Sequence, residues 1–197
     1  KGTFVINGIE RVVVSQIVRA PGVYFSGEQE ASTGRMLYKA EVRPVRGSWL
    51  EFEISKTDVI MARIDRRRRV PATAFLRALG ISTDQEIMDM FAEVDTDEKH
   101  HYISQTLEKD STSNSDEAVL EIYKRMRPGE PIVLDTAKTF FNNLFFAPRR
   151  YDLSNVGRYK TNKKLGLDIP NTKENWILKN EDVIGALKYL IGLQNGQ

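Results

Sequence analysis

The 197-residue sequence contains no cysteine and only two histidines, and both facts narrow its chemistry. Without cysteine there are no disulfides, thiolate metal sites or thiol nucleophiles, and the lack suits an intracellular setting. The two histidines, His100 and His101, are adjacent, and neighbours in sequence do not face one way on a helix or strand. A Ser-His-Asp triad would rest on one of them, and a zinc site would need carboxylates from elsewhere; a loop or surface pair is the simpler reading. No Walker-type glycine loop occurs, and no Asp-x-Asp-x-Asp cluster suggests paired magnesium ions. No apolar run approaches the roughly 18–20 residues needed to span a membrane, and no secretory signal is visible. There is also no initiator methionine: the chain opens at Lys1, directly inside a strand pattern, which reads as a fragment of a larger protein. The residue inventory argues against an independent enzyme.

Charge is present in both signs but unevenly placed. Residues 1–80 carry 14 Lys/Arg against 8 Asp/Glu, and residues 81–197 carry 15 against 19. The first part is therefore basic, which points to an anionic partner there, with a merely solvated face as the alternative. The length suits one large domain or two small ones.

Strand signals fill the first 70 residues. Thr3–Ile6 and Ile9–Gln16 flank Asn7-Gly8, a hairpin turn in which both residues tolerate φ > 0. Val12-Val13-Val14 suggests a strand buried on both faces. Arg19–Gly22 reads as a turn, Val23–Phe25 as a short strand, Ser26–Gly34 as a polar loop and Arg35–Val42 as a further strand. Helix signals follow. Pro71 opens a helix over Ala72–Leu79 that Gly80 ends, and Thr83 with Glu86 makes a capping box for a helix to about Phe91. Asp95–Asn114 is polar and should contain a loop. Apolar stripes at Val119–Met126, Ala137–Phe145 and Val183–Ile191 predict helices, the last capped by Asn180, and Tyr151–Leu165 is helical in part. Strands first and helices later indicate an α+β fold with an antiparallel sheet in its first part.

The stretch Arg46–Pro71, RGSWLEFEISKTDVIMARIDRRRRVP, is the most informative. Leu50, Phe52 and Ile54 alternate with polar neighbours, as do Ile60, Ala62 and Ile64, so both are half-buried strands. Placing both apolar sets on one side pairs Ile54 with Ile60, Phe52 with Ala62 and Leu50 with Ile64. That register puts Trp49 across from Asp65 on the polar face, at the root of the arginine run Arg66–Arg69. An indole is a stacking platform for a base, and a carboxylate accepts from guanine N1–H and N2–H₂. Arg66, Arg67, Arg68 and Arg69, on an exposed strand end, would set alternate guanidinium groups on phosphates. Arg149-Arg150-Tyr151 and Arg158-Tyr159-Lys160 form a second basic and aromatic cluster. The competing reading has Trp49 packed under a loop and Asp65 paired with an arginine.

Six ordered motifs carry a resemblance: GTFVINGIERVVVSQ, RAPGVYF, RGSWLEFEI, RIDRRRRVPAT with LRALG, RMRPGEP, and RRYDLSNVGRYKTNKKL. From Gly2 to Asn195 the chain resembles part of the bacterial RNA polymerase β subunit, a nucleotidyltransferase component. The resemblance implies residues 1–25 as a strand segment belonging with the protrusion, and residues 26–197 as the lobe domain, β-rich over 26–70 and helical over 71–197. It implies a non-catalytic role in DNA-templated transcription, lining the downstream DNA cleft. Arg19, Trp49 and Asp65 match a pocket that holds a nontemplate-strand guanine, with a neighbouring base stacked on the tryptophan. Arg11, Val14 and Gln16 match part of the rifamycin-pocket wall, and the loop at about Lys109–Asp116 matches one that faces the opposing clamp. The implied partners are the other polymerase subunits, downstream DNA, the nontemplate strand, sigma and other transcription factors, with no membrane. A role chiefly as a docking surface for sigma or other factors is the alternative, and the acidic helical half suits it. The resemblance implies no cofactor in this fragment, since the polymerase's Mg²⁺ is bound by the largest subunit, and a cytoplasmic location at the nucleoid. The chain departs from the family's SQxHRSPG at Val18 and Ala20, which lose two polar side chains beside Arg19. The segment between Phe91 and His101 is short and lacks an insertion found in some lineages.

Overall fold

The computed structural model describes residues 2–196. It is an α+β fold in which helices cover one face of an antiparallel sheet. The first two strands, β1 (Thr3–Ile6) and β2 (Ile9–Val12), form a separate ribbon turned by Asn7 and Gly8, both at positive φ. The main sheet is a five-strand meander in sequence order: β3 (Gly22–Gln29), β4 (Met36–Arg43), β5 (Leu50–Ile54), β6 (Ile60–Ile64) and β7 (Arg69–Pro71). Among the described residues seven α-helices follow, with a short 3-10 turn at Lys173–Asn175 before the last: α1 (Ala72–Ala78), α2 (Asp84–Phe91), α3 (Tyr102–Lys109), α4 (Ser115–Met126), α5 (Leu134–Phe145), α6 (Ser154–Leu165) and α7 (Asn180–Gln194). No helix among the described residues is long and apolar enough to cross a membrane.

The β5–β6 register is the one the alternation requires: Leu50 pairs with Ile64, Phe52 with Ala62 and Ile54 with Ile60. These six residues are buried, together with Ala40, Val42 and Val70 on the flanking strands. Phe75 of α1 joins sheet to helices, edge-on to Phe52 and to Phe141 and Phe145 of α5, with ring centroids 5.6–5.9 Å apart. Such aromatic pairs add to the area they bury. One face is therefore sealed by α1 and its neighbours, and the other stays polar, as antiparallel sheets allow.

Several expectations need correction. β2 ends at Val12, and Val12, Val13 and Val14 are exposed, not buried, because neither the β1–β2 ribbon nor the irregular segment after it has a second layer over it among the described residues. A two-stranded ribbon cannot bury its own faces. Ser26–Gln29 continues β3 instead of forming a loop, since pairing with Met36–Lys39 of β4 supplies hydrogen bonds that its composition does not advertise. β3 runs without a break across residues 25 and 26. β7 is a three-residue edge strand hidden in the arginine run, paired with β6 from Arg63↔Arg69 to Met61↔Pro71. The polar stretch Asp95–Asn114 does contain loops, but α3 forms between them, and its Tyr102 and Ile103 N–H groups donate to the Asp95 carboxylate. Asn180 is the first helical residue of α7, not its cap; the Asp182 carboxylate accepts from the Lys179 N–H instead. The Thr83–Glu86 capping box is present in both directions.

Candidate nucleic-acid interface

The site is built on the polar face of the sheet, at the end where β5 begins and β6 stops. The Asp65 N–H donates to the Trp49 carbonyl at 3.0 Å, and the Trp49 N–H donates to Asp65 Oδ1 at 2.8 Å. The two residues thus face each other one step beyond the Leu50–Ile64 pair. Asp65 and Arg66 both have positive φ, 50° and 56°, and the Arg67 N–H closes the turn on the Ile64 carbonyl at 2.9 Å. Aspartate tolerates this region; arginine is uncommon there, and a residue so held stores about 1–3 kcal/mol of strain, a feature that clusters at binding sites. The turn aims Arg66 back over the indole, its guanidinium carbon 5.1 Å from the Trp49 ring centroid.

A second arginine reaches Trp49 from the other side of β5. Arg43 of β4 places its guanidinium carbon 4.7 Å from the Trp49 ring and 5.7 Å from the Tyr24 ring. It is pinned by the Glu41 carboxylate, which accepts from Nε at 2.8 Å and from Nη2. Burial pushes the Glu41 carboxyl up, but hydrogen bonds from Arg43 and Lys39 outweigh it and hold the group below its ordinary value. Arg66, by contrast, is largely exposed and has only a loose pairing with Glu51 at 3.8 Å.

Arg19 joins this group indirectly. Its guanidinium carbon lies 5.4 Å from the Tyr24 ring, and the Tyr24 hydroxyl donates to the Ala20 carbonyl, tying the Arg19–Gly22 turn to β3. Arg19, Trp49 and Asp65 therefore share one surface, linked through Tyr24 and Arg43. Those two linkers escaped the sequence reading. The signal was available: Tyr24, Glu41 and Glu51 stand in one row across β3, β4 and β5, and Arg43 follows Glu41 by two, on the same face.

Neither simple alternative for Trp49 and Asp65 describes the site. Trp49 is half-buried between arginines, and the Asp65 carboxylate accepts from a backbone N–H and forms no ion pair among the described residues. Asp65 is exposed, and its Oδ2 accepts no hydrogen bond among the described residues.

The arginine run does not extend a strand. Arg66 lies in the turn, Arg67 donates to the Met126 carbonyl at 3.2 Å, Arg68 is exposed, and Arg69 pairs with Glu53 as the first residue of β7. An alternating row of guanidinium groups is thus replaced by a turn that sends them in different directions. The second basic cluster is also corrected: Arg158 and Tyr151 are buried, while Arg149, Arg150, Tyr159 and Lys160 are exposed. Arg11, Val14 and Gln16 are all exposed, Arg11 on β2 opposite Phe4 and the others in the irregular segment that follows. The loop after α3 is anchored at Asp110, which accepts from Thr73 Oγ1 at 2.7 Å and Arg77 Nε at 3.3 Å.

The Asp58 carboxylate accepts from His100 Nδ1 at 2.7 Å and forms an ion pair with Arg35 at 2.7 Å, so His100 serves to join loops. No group of three or more acidic or histidine side chains among the described residues could hold a metal. A cleft of about 620 Å³ lies farther along the polar face, lined by Tyr38, Lys39, Glu53, Met61 and Arg69, and does not include Trp49 or Asp65.

The sheet-and-helix architecture and the arginine–aromatic surface thus stand beside one finding from known proteins. The family model for RNA polymerase Rpb2, domain 2, matches residues 19–197, nearly the whole chain. The chain belongs to that family, the lobe of the second-largest subunit of DNA-directed RNA polymerase.

Proposed function

We propose that this lobe is that of a bacterial β subunit, and that the Trp49–Asp65 end of its sheet takes an unpaired nontemplate-strand guanine beside downstream DNA. The observation that carries this is the pair of hydrogen bonds between Trp49 and Asp65, one from the Asp65 N–H to the Trp49 carbonyl and one from the Trp49 N–H to the Asp65 carboxylate, which holds the tryptophan and the carboxylate side by side at the open face. A carboxylate with one oxygen already oriented by the Trp49 N–H presents its other oxygen to guanine N1–H and N2–H₂, a donor pair no other base offers on that edge. The indole supplies stacking for an adjoining base, worth about 1–3 kcal/mol. Arg19 and Arg66–Arg69, all exposed, add positive charge for the backbone. The remaining polymerase subunits complete the cleft, and the lobe positions DNA without making phosphodiester bonds. The helical half, acidic in composition, is the place for sigma or another factor.

The test uses assembled polymerase and fork DNAs that carry each of the four bases, unpaired, at the nontemplate position. Asp65→Ala should lower the preference for guanine by about 5- to 150-fold, the equivalent of about 1–3 kcal/mol of base discrimination. Trp49→Ala should weaken capture of the same strand. If both variants keep wild-type preference and affinity, the pocket reading is wrong.

A further inference from the structure

Tyr24 sits at the meeting point of three cations. Arg19, Arg43 and Lys160 lie 5.4, 5.7 and 5.9 Å from its ring centroid. Arg43 is neutralised by Glu41, but Arg19 and Lys160 form no ion pair among the described residues, and both are exposed. Lys160 reaches this place because α6 lies against the start of β3 with glycine on both sides. A Cβ at Gly22 would stand 3.2 Å from the Lys160 Cβ, and one at Gly157 would stand 3.0 Å from the Pro21 Cβ. The close approach is therefore specified by two residues with no side chain, and it carries a helix lysine onto the polar face of the sheet.

We infer that Tyr24, Arg19 and Lys160 form a second subsite, which takes the phosphodiester backbone of the unpaired strand as it leaves the Trp49–Asp65 site. This rests on the reading that the Trp49–Asp65 site binds such a strand. Continuity carries the assignment: the pinned Arg43 guanidinium touches both the Trp49 and Tyr24 rings, so the two aromatic positions are adjacent stations on one surface. Charge complementarity gives the occupant. Two unneutralised cations beside an aromatic ring favour a polyanion with planar bases, and single strands engage cationic grooves lined with aromatic side chains. The helix contribution also explains why the basic signal at Arg158-Tyr159-Lys160 divides: Arg158 turns inward and Lys160 outward.

The experiment measures the affinity of assembled polymerase for fork DNA against salt concentration, with the unpaired nontemplate segment present or removed. Each phosphate contact on a single strand contributes about 0.7 to the slope of log K against log salt. Lys160→Gln should reduce the slope by about that amount when the segment is present and leave it unchanged when the segment is absent. Lys160→Arg should restore the wild-type slope. An unchanged slope for Lys160→Gln, or an equal loss on DNA lacking the segment, overturns the subsite. The same DNAs with Asp65→Ala report base preference, so failure of the guanine reading shows as an unchanged preference and failure of the subsite as an unchanged slope.

Discussion

Replacing Asp182 by alanine should be among the most damaging single changes available in this chain. Arg158 and Asp182 are both fully buried. The guanidinium donates to Asp182 Oδ1 at 2.6 Å and Oδ2 at 2.9 Å, to the Asn175 carbonyl at 2.7 Å and to the Ile177 carbonyl at 2.7 Å. Asp182 accepts in addition from the Lys179 N–H at 2.9 Å, so one carboxylate both neutralises Arg158 and closes the first turn of α7. Burial pushes the Asp182 carboxyl up and the Arg158 hydrogen bonds oppose it. The nearby Tyr151 hydroxyl is buried, and burial raises its pKa. Removing the carboxylate strands a guanidinium in this setting, which costs about 3–5 kcal/mol. For a chain of this size each kcal/mol moves Tm by about 2–4 °C, so Asp182→Ala should lower Tm by roughly 6–20 °C. Thermal unfolding followed by circular dichroism reads this directly. The double variant Arg158→Met, Asp182→Leu removes the stranded charge, yet it leaves the Asn175 and Ile177 carbonyls and the Lys179 N–H without partners, at about 1–3 kcal/mol for each that stays buried. It should therefore remain below wild type. A Tm for Asp182→Ala within 2 °C of wild type would refute the claim that this pair joins α6, α7 and the 175–177 segment.

Two further outcomes follow from the same geometry. Gly157→Ala overpacks against Pro21 and Leu153 at a cost of about 1–3 kcal/mol, against a helix-propensity gain of about 1 kcal/mol, so the denaturant midpoint should fall by the equivalent of up to about 2 kcal/mol; a raised midpoint would mean that α6 shifts without cost. The Glu30 carboxylate accepts from Ser32 and Thr33, which hold its pKa at about 2 instead of 4.5. Because the folded value is the lower one, its contribution is complete above pH 4.5 and is lost as pH falls toward 2. Amide exchange at Thr33 should therefore accelerate across that window, and a pH-independent rate, after correction for intrinsic exchange, would contradict the bond.

The legible parts of the fold share a physical cause: each was decided by residues close in sequence. Thr83 and Glu86 cap α2 from three positions apart, and Asn7-Gly8 bends the first ribbon by itself. The β5–β6 register was readable because a slip of one residue would have put Phe52 or Ala62 in water. The Trp49–Asp65 juxtaposition followed from that register alone. β7 was not readable, since three residues, Arg69 exposed and Val70 and Pro71 both buried, carry no alternation and owe their conformation to the edge of β6. Val12–Val14 misled for the opposite reason: an apolar run states that a strand can be buried, not that anything is there to bury it.

The sequence by itself determined an α+β chain with a basic, strand-rich first part, a defined central hairpin, and an indole beside a carboxylate on its open face. Only the tertiary structure decided what surrounds them. Arg43 and Tyr24 come from strands whose register with β5 depends on the whole meander. Lys160 arrives from a helix more than a hundred residues along the chain, through a contact that needs glycine at two distant positions. Arg158, two residues earlier, is turned into the interior by a carboxylate on a different helix. Alternation and capping act over a few residues and leave their mark in sequence; the fate of a charge depends on which distant partner the fold brings within hydrogen-bonding reach.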